Sequence, residues 1–304
     1  MKSGLQNRLK MIRIPNEITS VLDVFTPYKP AMLNYIKRSG PEKDFERIFT
    51  IPGMQINIKG VKGSGKTSMI QHILQAKRIP HIITMCTSGD TIQQMIEDVF
   101  QTLHGMLIQF EEGERSKETY YEKKESANQV TNTYFNCYNA KINIPSLKNQ
   151  LPIKTDKSLC VCLGSSGFVW VIDDFQVLLP QERTRWLDIL KLFNEWSNKY
   201  NSLRIITIGQ IIETSEMLCF RPDLATKIAE IKVPLMSVEE LCAVITKGEQ
   251  LLNISFAEHL HKEMLNLQQN TLLPSACHQV FLYLCLKNRI EFAQAEIKKI
   301  VDMP

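Results

Sequence analysis

The sequence predicts an α/β fold, a three-layer core with a central parallel sheet followed by a small all-α domain. Three observations carry that prediction. Residues 54–103 alternate strand and helix patterns, the β-α-β-α order that parallel sheets with crossover helices require. Residues 168–172, Phe-Val-Trp-Val-Ile, form an unbroken apolar run of the kind a strand buried on both faces needs. From Ser237 onward the apolar spacing is helical only.

In chain order, Phe25-Thr26-Pro27-Tyr28-Lys29-Pro30 is an extended, proline-punctuated turn, and residues 31–39 predict a short helix closed by Gly40-Pro41. Met54-Gln55-Ile56-Asn57-Ile58-Lys59 alternates and predicts the first strand; a glycine-rich turn follows, then a helix from Lys66 to about Lys77. His81-Ile82-Ile83-Thr84-Met85 is rich in β-branched residues and predicts the second strand. Asp90 is placed to cap a helix through Met95, Val99 and Leu103. Residues 106–165 break this rhythm, densely charged over 111–126 and rich in Asn, Lys, Thr and Tyr over 128–157. They predict an insertion with one or two short strands, and Cys160-x-Cys162 at its end reads as strand. Regularity returns with 168–172 and a helix over 181–199 that aligns Trp186, Ile189, Leu190, Phe193 and Trp196 on one face. Strands follow at 204–208 and 230–233. Ser237 with Glu240 is a capping box, opening helices over 238–250, 256–267, 275–287 and 290–301. The expected divisions are an N-terminal segment, 1–50, a core with its insertion, 51–235, and a helical lid, 236–304.

Composition narrows the class. Thirty-six basic residues against 32 acidic ones leave a net charge of +4, which excludes a strongly basic nucleic-acid coat and an acidic solvating tail. The longest apolar runs, 168–172 and 280–286, fall far short of the roughly 18 residues of a spanning helix. Residues 1–15 are polar and basic, without the apolar centre of a secretory signal. The eight cysteines lack a CxxC pair, so reduced thiols and a cytoplasmic location are expected.

The chemistry lies in Gly60-Val61-Lys62-Gly63-Ser64-Gly65-Lys66-Thr67, which satisfies G-x-x-x-x-G-K-[ST]. Glycines permit positive φ, which lets successive backbone N–H groups face inward as an anion nest, and the next helix adds its N-terminal dipole. Lys66 is placed to reach the β- and γ-phosphates of ATP, Thr67 to ligate Mg²⁺, and Ser68 completes the expected phosphate-binding segment. Chance supplies such a match in roughly one chain per hundred of this length; a strand before it and a helix after it raise its weight further. Asp173-Asp174 closes the apolar strand in the form of a Walker B motif. Asp173 is assigned to the metal and Asp174 to the attacking water.

These motifs resemble those of the AAA+ ATPases, and within them the origin-recognition and STAND-type branch of bacterial defence and transposition loci. Besides the two motifs, the resemblance rests on residues 204–209, on the stretch from Pro222-Asp223-Leu224 to Val233-Pro234-Leu235, on Glu239-Glu240-Leu241 and on residues 248–254. It covers about residues 20–290. It implies that Phe25-Thr26-Pro27 lies near the adenine, that Gln210 or Thr207 occupies the sensor 1 position, and that Leu273-Pro274 touches the nucleotide from the lid. Departures accompany it. Asp174 stands where many relatives have glutamate, which implies slow turnover. Lys227 occupies the position of the oligomer-forming arginine finger, with Arg221 as a substitute, and lysine lacks arginine's planar fork. A sensor 2 arginine is not apparent.

Other signals carry less. His259 and His261 would point about 200° apart on a helix, and Cys160-x-Cys162 lacks a second pair at zinc spacing. The expected function is therefore an ATP-binding AAA+ type ATPase acting as a nucleotide-dependent switch or assembly factor for a partner protein, with slow hydrolysis. The alternatives are a non-hydrolysing ATP-binding interaction protein and an ATP-dependent DNA-binding regulator. ATP and Mg²⁺ are the expected cofactors, and a homo-oligomer or an effector protein the expected partner; nucleic acid is weakly supported and a membrane is not expected.

Overall fold

A computed structural model describes residues 20–27, 29–111, 133–136, 154–210 and 222–254. Its helices are α1 (Val21–Val24), α2 (Ser39–Phe49), α3 (Lys66–Ala76), α4 (Ile92–Glu111), α5 (Asp156–Ser166), α6 (Pro180–Trp196) and α7 (Val238–Leu252). The strands are β1 (Gln55–Lys59), β2 (His81–Met85), β3 (Thr133–Asn136), β4 (Val169–Asp173), β5 (Arg204–Gly209) and β6 (Ile228–Lys232). The described residues fall into two compact units: one holds those of Met1–Lys37, Gly63–Ser68 and Pro234–Pro304, the other those of Arg38–Lys62 and Met69–Val233.

In the larger unit the strands form one sheet in the order β3-β2-β4-β5-β1-β6, parallel except for β3, which runs antiparallel to β2. This is the expected α/β fold, a central parallel sheet with flanking helices. The apolar run at 168–172 becomes β4, every residue of which is buried, because helices cover both its faces. Pleat alternation sends Trp170 and Ile172 into a core shared with Ile82, Ile205 and helices α4, α5 and α6. Trp170 meets Trp186 edge to face at a centroid distance of 5.6 Å, and its Nε1–H donates to Thr84 Oγ1 at 3.0 Å.

Four local expectations need correction. Residues 31–38 are not helical; Gly40-Pro41, read as a helix stop, lies inside the first turn of α2, where proline's missing N–H costs nothing. Asp90 does not cap α4. Its carboxylate instead accepts from Thr87 N–H and hydroxyl, while Thr91 and Gln94 exchange the capping hydrogen bonds. Cys160 and Cys162 lie in helix α5, not in a strand. Thr155 and Ser158 form a capping box at its start, and Gly167 closes it at a φ of 72°. Finally, α4 and α5 extend into the two ends of the stretch 106–165, and β3 supplies one strand within it. The capping box at Ser237 and Glu240 forms as predicted. The helices expected over 256–267, 275–287 and 290–301, with His259 and His261, lie outside the described residues.

His81 opens β2, paired with Val169 of β4 on one side and Asn136 of β3 on the other. Burial lowers its pKa from 6.5 to about 4, and the hydrogen bond between Nδ1 and the Ile79 carbonyl offsets this only in part. A depressed histidine contributes stability that is complete above its unfolded pKa and lost as pH falls from 6.5 toward 4, so the His81 contribution should fall by about 2 kcal/mol between pH 7 and pH 5. Asp98 acts in the opposite sense: burial first, then Asp90 and Glu97, raise its pKa to about 6, so acidification relieves its cost. Urea denaturation of wild type and His81→Asn at both pH values isolates the histidine. Equal losses in the two proteins would show that His81 carries its charge in the folded chain.

Candidate functional site

Strand register aligns the ends that carry the motifs. Lys59, the last residue of β1, pairs with Gly209 at the end of β5, and Asp173 at the end of β4 pairs with Met85 at the end of β2. The chain leaving β1 at Gly60, the Asp173-Asp174 pair and Gln210 therefore all stand at the carboxyl edge of one sheet, with β5 between the two motif strands. In open parallel sheets this edge is the ligand side.

The glycine loop leads from β1 into α3, whose first residue is Lys66. Gly63 and Gly65 take positive φ of 78° and 87° on either side of Ser64. Only glycine enters that region freely, and the resulting alternation turns neighbouring N–H groups to one side. Val61 and Lys62 are exposed, Ser64 is buried, Thr67 and Ser68 are half-buried, and Lys66 keeps only 8% of its surface in solvent. Within the smaller unit, the Ser68 hydroxyl accepts from Ala31 N–H at 2.9 Å, tying the loop's end to the N-terminal segment. That segment also meets α7: the fully buried Phe25 ring lies so close to Gly248 that a Cβ there would stand 2.4 Å from its tip, and Lys247 Nζ donates to the Tyr35 carbonyl at 2.7 Å.

At the end of β4, Asp173 is buried and accepts through Oδ1 from the Asp174 N–H at 2.8 Å, while its carbonyl accepts from Cys86 N–H at 2.9 Å. Asp174 is exposed and left-handed, at a φ of 55°. Burial first, then Asp90 and the Asp173-Asp174 pair, push the Cys86 thiol far above its usual range, so it stays protonated. A 3₁₀ turn, Phe175–Val177, follows, and Arg183 of α6 clamps it by donating to the carbonyls of Gln176 at 2.6 Å and Leu178 at 3.0 Å.

The structure brings Gln210 against this turn. Its N–H donates to Gln176 Oε1 at 3.0 Å, and Gln176 Nε2 donates to Asp174 Oδ1 at 2.9 Å. Thr207, the other sensor candidate, is buried inside β5, paired with Asn57 and Ile172. Gln176 and Arg183 were not singled out in the sequence; the one available signal was a polar pair flanking the turn after the carboxylates. Lys227 lies at the opposite, amino edge of the sheet, exposed, its carbonyl accepting from the N–H of Gln55, the first residue of β1. Arg221 and Pro274 lie outside the described residues. Among the described residues no three histidine, cysteine or acidic side chains gather as a metal cage, and no helix is long and apolar enough to cross a membrane.

No family model matches the sequence, and no curated protein matches it. Solved structures do. The Walker-type ATPase of Pyrococcus abyssi is similar at a TM-score of 0.61 and 14% identity, over 87% of this chain and 72% of that one. The Aeropyrum pernix ORC2 protein, solved as ADPNP and ADP complexes, gives 0.54 at 11% identity, over 90% and 67%. The ORC1 protein of the same organism, solved with DNA, gives 0.51 at 9% identity, over 89% and 65%. The fold, a central parallel sheet with flanking helices, is the one these proteins share. The carboxyl edge of the sheet carries Gly60, Asp173, Asp174 and Gln210, whereas Thr207 lies inside β5 and Lys227 at the amino edge.

Proposed function

We propose that the protein binds ATP·Mg²⁺ at the glycine loop and hydrolyses it slowly, as a nucleotide-dependent switch or assembly factor for a partner protein. The observation that carries this is the pair of left-handed glycines in a loop that runs from a strand end into the helix opened by Lys66. The donor set fits the ion as well. By motif, Thr67 offers a hydroxyl and Asp173 a carboxylate, oxygen ligands of the kind Mg²⁺ takes together with phosphate oxygens and water. When bound, that ion supplies charge neutralisation at the β- and γ-phosphates.

In this reading the loop amides of residues 60–67 and Lys66 hold the phosphates. Thr67 and Asp173 hold the ion, Asp174 orients the attacking water, and Gln210 senses the γ-phosphate. ATP and water yield ADP and inorganic phosphate. Aspartate at 174, shorter than glutamate by one methylene, supports slow turnover. Residues 51–235 would act as the core and 236–304 as the lid, with Phe25 and Pro274 on the nucleotide's outer side. Lys227, exposed at the amino edge of the sheet, is a candidate to reach the site of a neighbouring copy in an oligomer, with Arg221 as the alternative. The likeness to an ORC1 protein solved with DNA shows the fold alone, and the net charge of +4 gives DNA little further support.

The test is single-turnover kinetics with protein in excess over ATP·Mg²⁺. Wild type should form ADP, and Asp174→Asn should slow that step about 100-fold with ATP affinity retained. ATP bound but never cleaved would leave the protein an ATP-binding interaction module.

A further inference from the structure

We propose that Gln176 is the positioning residue of this hydrolytic site, holding the Asp174 carboxylate in register with the end of β5. The inference rests on the ATPase reading above and assigns a role to a residue outside both motifs.

The geometry fixes the amide's orientation. The Gln210 N–H can only donate and the Asp174 carboxylate can only accept, so Oε1 must face the first and Nε2 the second. An amide is the side chain that meets both demands at this length. Glutamate would offer acceptors to both sides, and methionine would satisfy neither well. Room for the amide is also built in: a Cβ at Gly209 would stand 3.2 Å from Oε1, tighter than ordinary contact.

What Gln176 holds would otherwise be loose. Asp174 is exposed, and the left-handed conformation of its backbone is uncommon for a residue with a side chain. The turn carrying the amide is firm, because Arg183 clamps the carbonyls of Gln176 and Leu178. Gln176 thus joins a clamped turn to the tip of β5, with the carboxylate hanging from it by Oδ1. Oδ2 is left to accept a hydrogen bond from the attacking water. Because the other end of the link is the Gln210 backbone, a shift of Gln210 on meeting the γ-phosphate reaches Asp174 through a single side chain.

The full chain is tested as Gln176→Met, which keeps length and removes the amide, and as Gln176→Glu, which keeps an acceptor for Gln210 N–H but sets a second carboxylate beside Asp174. Single-turnover rates, ATP affinity and melting temperature are measured for each. Gln176→Met should cut the rate about 10- to 100-fold with ATP affinity within about twofold, because orientation is lost and binding is not. Gln176→Glu should slow the same step at least as far with ATP affinity within about threefold, since two facing carboxylates repel and the link to Asp174 is broken. A purely structural role would lower rate, affinity and melting temperature together, which overturns the proposal. So does wild-type kinetics in both variants. If Gln176→Met does not fold, the split between rate and affinity in Gln176→Glu decides alone. A wild type without Lys66-dependent turnover sinks the ATPase reading and this inference with it; an active wild type matched by both variants sinks the inference alone.

Discussion

Replacing Lys66 by alanine is expected to lower ATP affinity about 30- to 150-fold and to remove measurable turnover. A hydrogen bond involving a charged group contributes about 1.5–3 kcal/mol, and the ammonium is assigned to two phosphates, so the upper part of that range applies. The substitution separates binding from folding unusually well. Lys66 is the first residue of α3, where a positive charge opposes the helix dipole, and only 8% of it is exposed. Alanine has the higher helix propensity, so any loss of stability without nucleotide measures what the ammonium holds in the folded chain. What should disappear is the stabilisation by ligand, about 2.7 kcal/mol when ATP·Mg²⁺ is present at a hundred times its dissociation constant. Thermal melts with and without ATP·Mg²⁺ check both halves at once. A ligand-induced shift of wild-type size in Lys66→Ala would remove the glycine loop from the site.

The parts legible in the sequence are those whose signal is local. The glycine loop announces itself because its spacing is a backbone requirement, met by the positive φ of Gly63 and Gly65. β4 was legible because a strand covered on both faces has no polar alternation to confuse it. Helix α5 was misread for the converse reason. Leu159, Cys160, Cys162, Leu163 and Gly164 are buried nearly all round its axis, so the sequence shows no 3.6-residue stripe. Gly164 in particular makes way for the Tyr200 ring, where a Cβ would stand 2.5 Å from ring atoms, a demand set from another part of the chain. Gln176 was invisible on the same grounds. Its partner Asp174 is close in sequence, but the N–H that completes the link belongs to residue 210, and only the β4–β5 register brings the two together.

The largest stability effect is expected from Trp170→Ala, about 3–5 kcal/mol, the usual range for deleting a large aromatic side chain from a packed core. Three features place it toward the upper end. Trp170 is wholly buried in the central strand, with sheet neighbours Ile82 and Ile205 that cannot collapse into the space without breaking register. Its edge-to-face contact with Trp186 is lost, about 0.5–1.5 kcal/mol beyond area burial. Thr84 Oγ1 loses one of its two donors, keeping only the Thr133 hydroxyl at 3.2 Å. Set against a total of roughly 5–15 kcal/mol for an ordinary domain, such a loss leaves the fold marginal. Trp170→Phe separates the contributions, since it keeps an aromatic ring against Trp186 and gives up the donor to Thr84. Urea denaturation should rank wild type above Trp170→Phe above Trp170→Ala, with the ATP·Mg²⁺ affinity of Trp170→Phe unchanged because Trp170 sits inside β4, short of the edge that carries Asp173. A drop in affinity without a drop in stability would mean that the strand interior, and not only its carboxyl end, sets the geometry of the site.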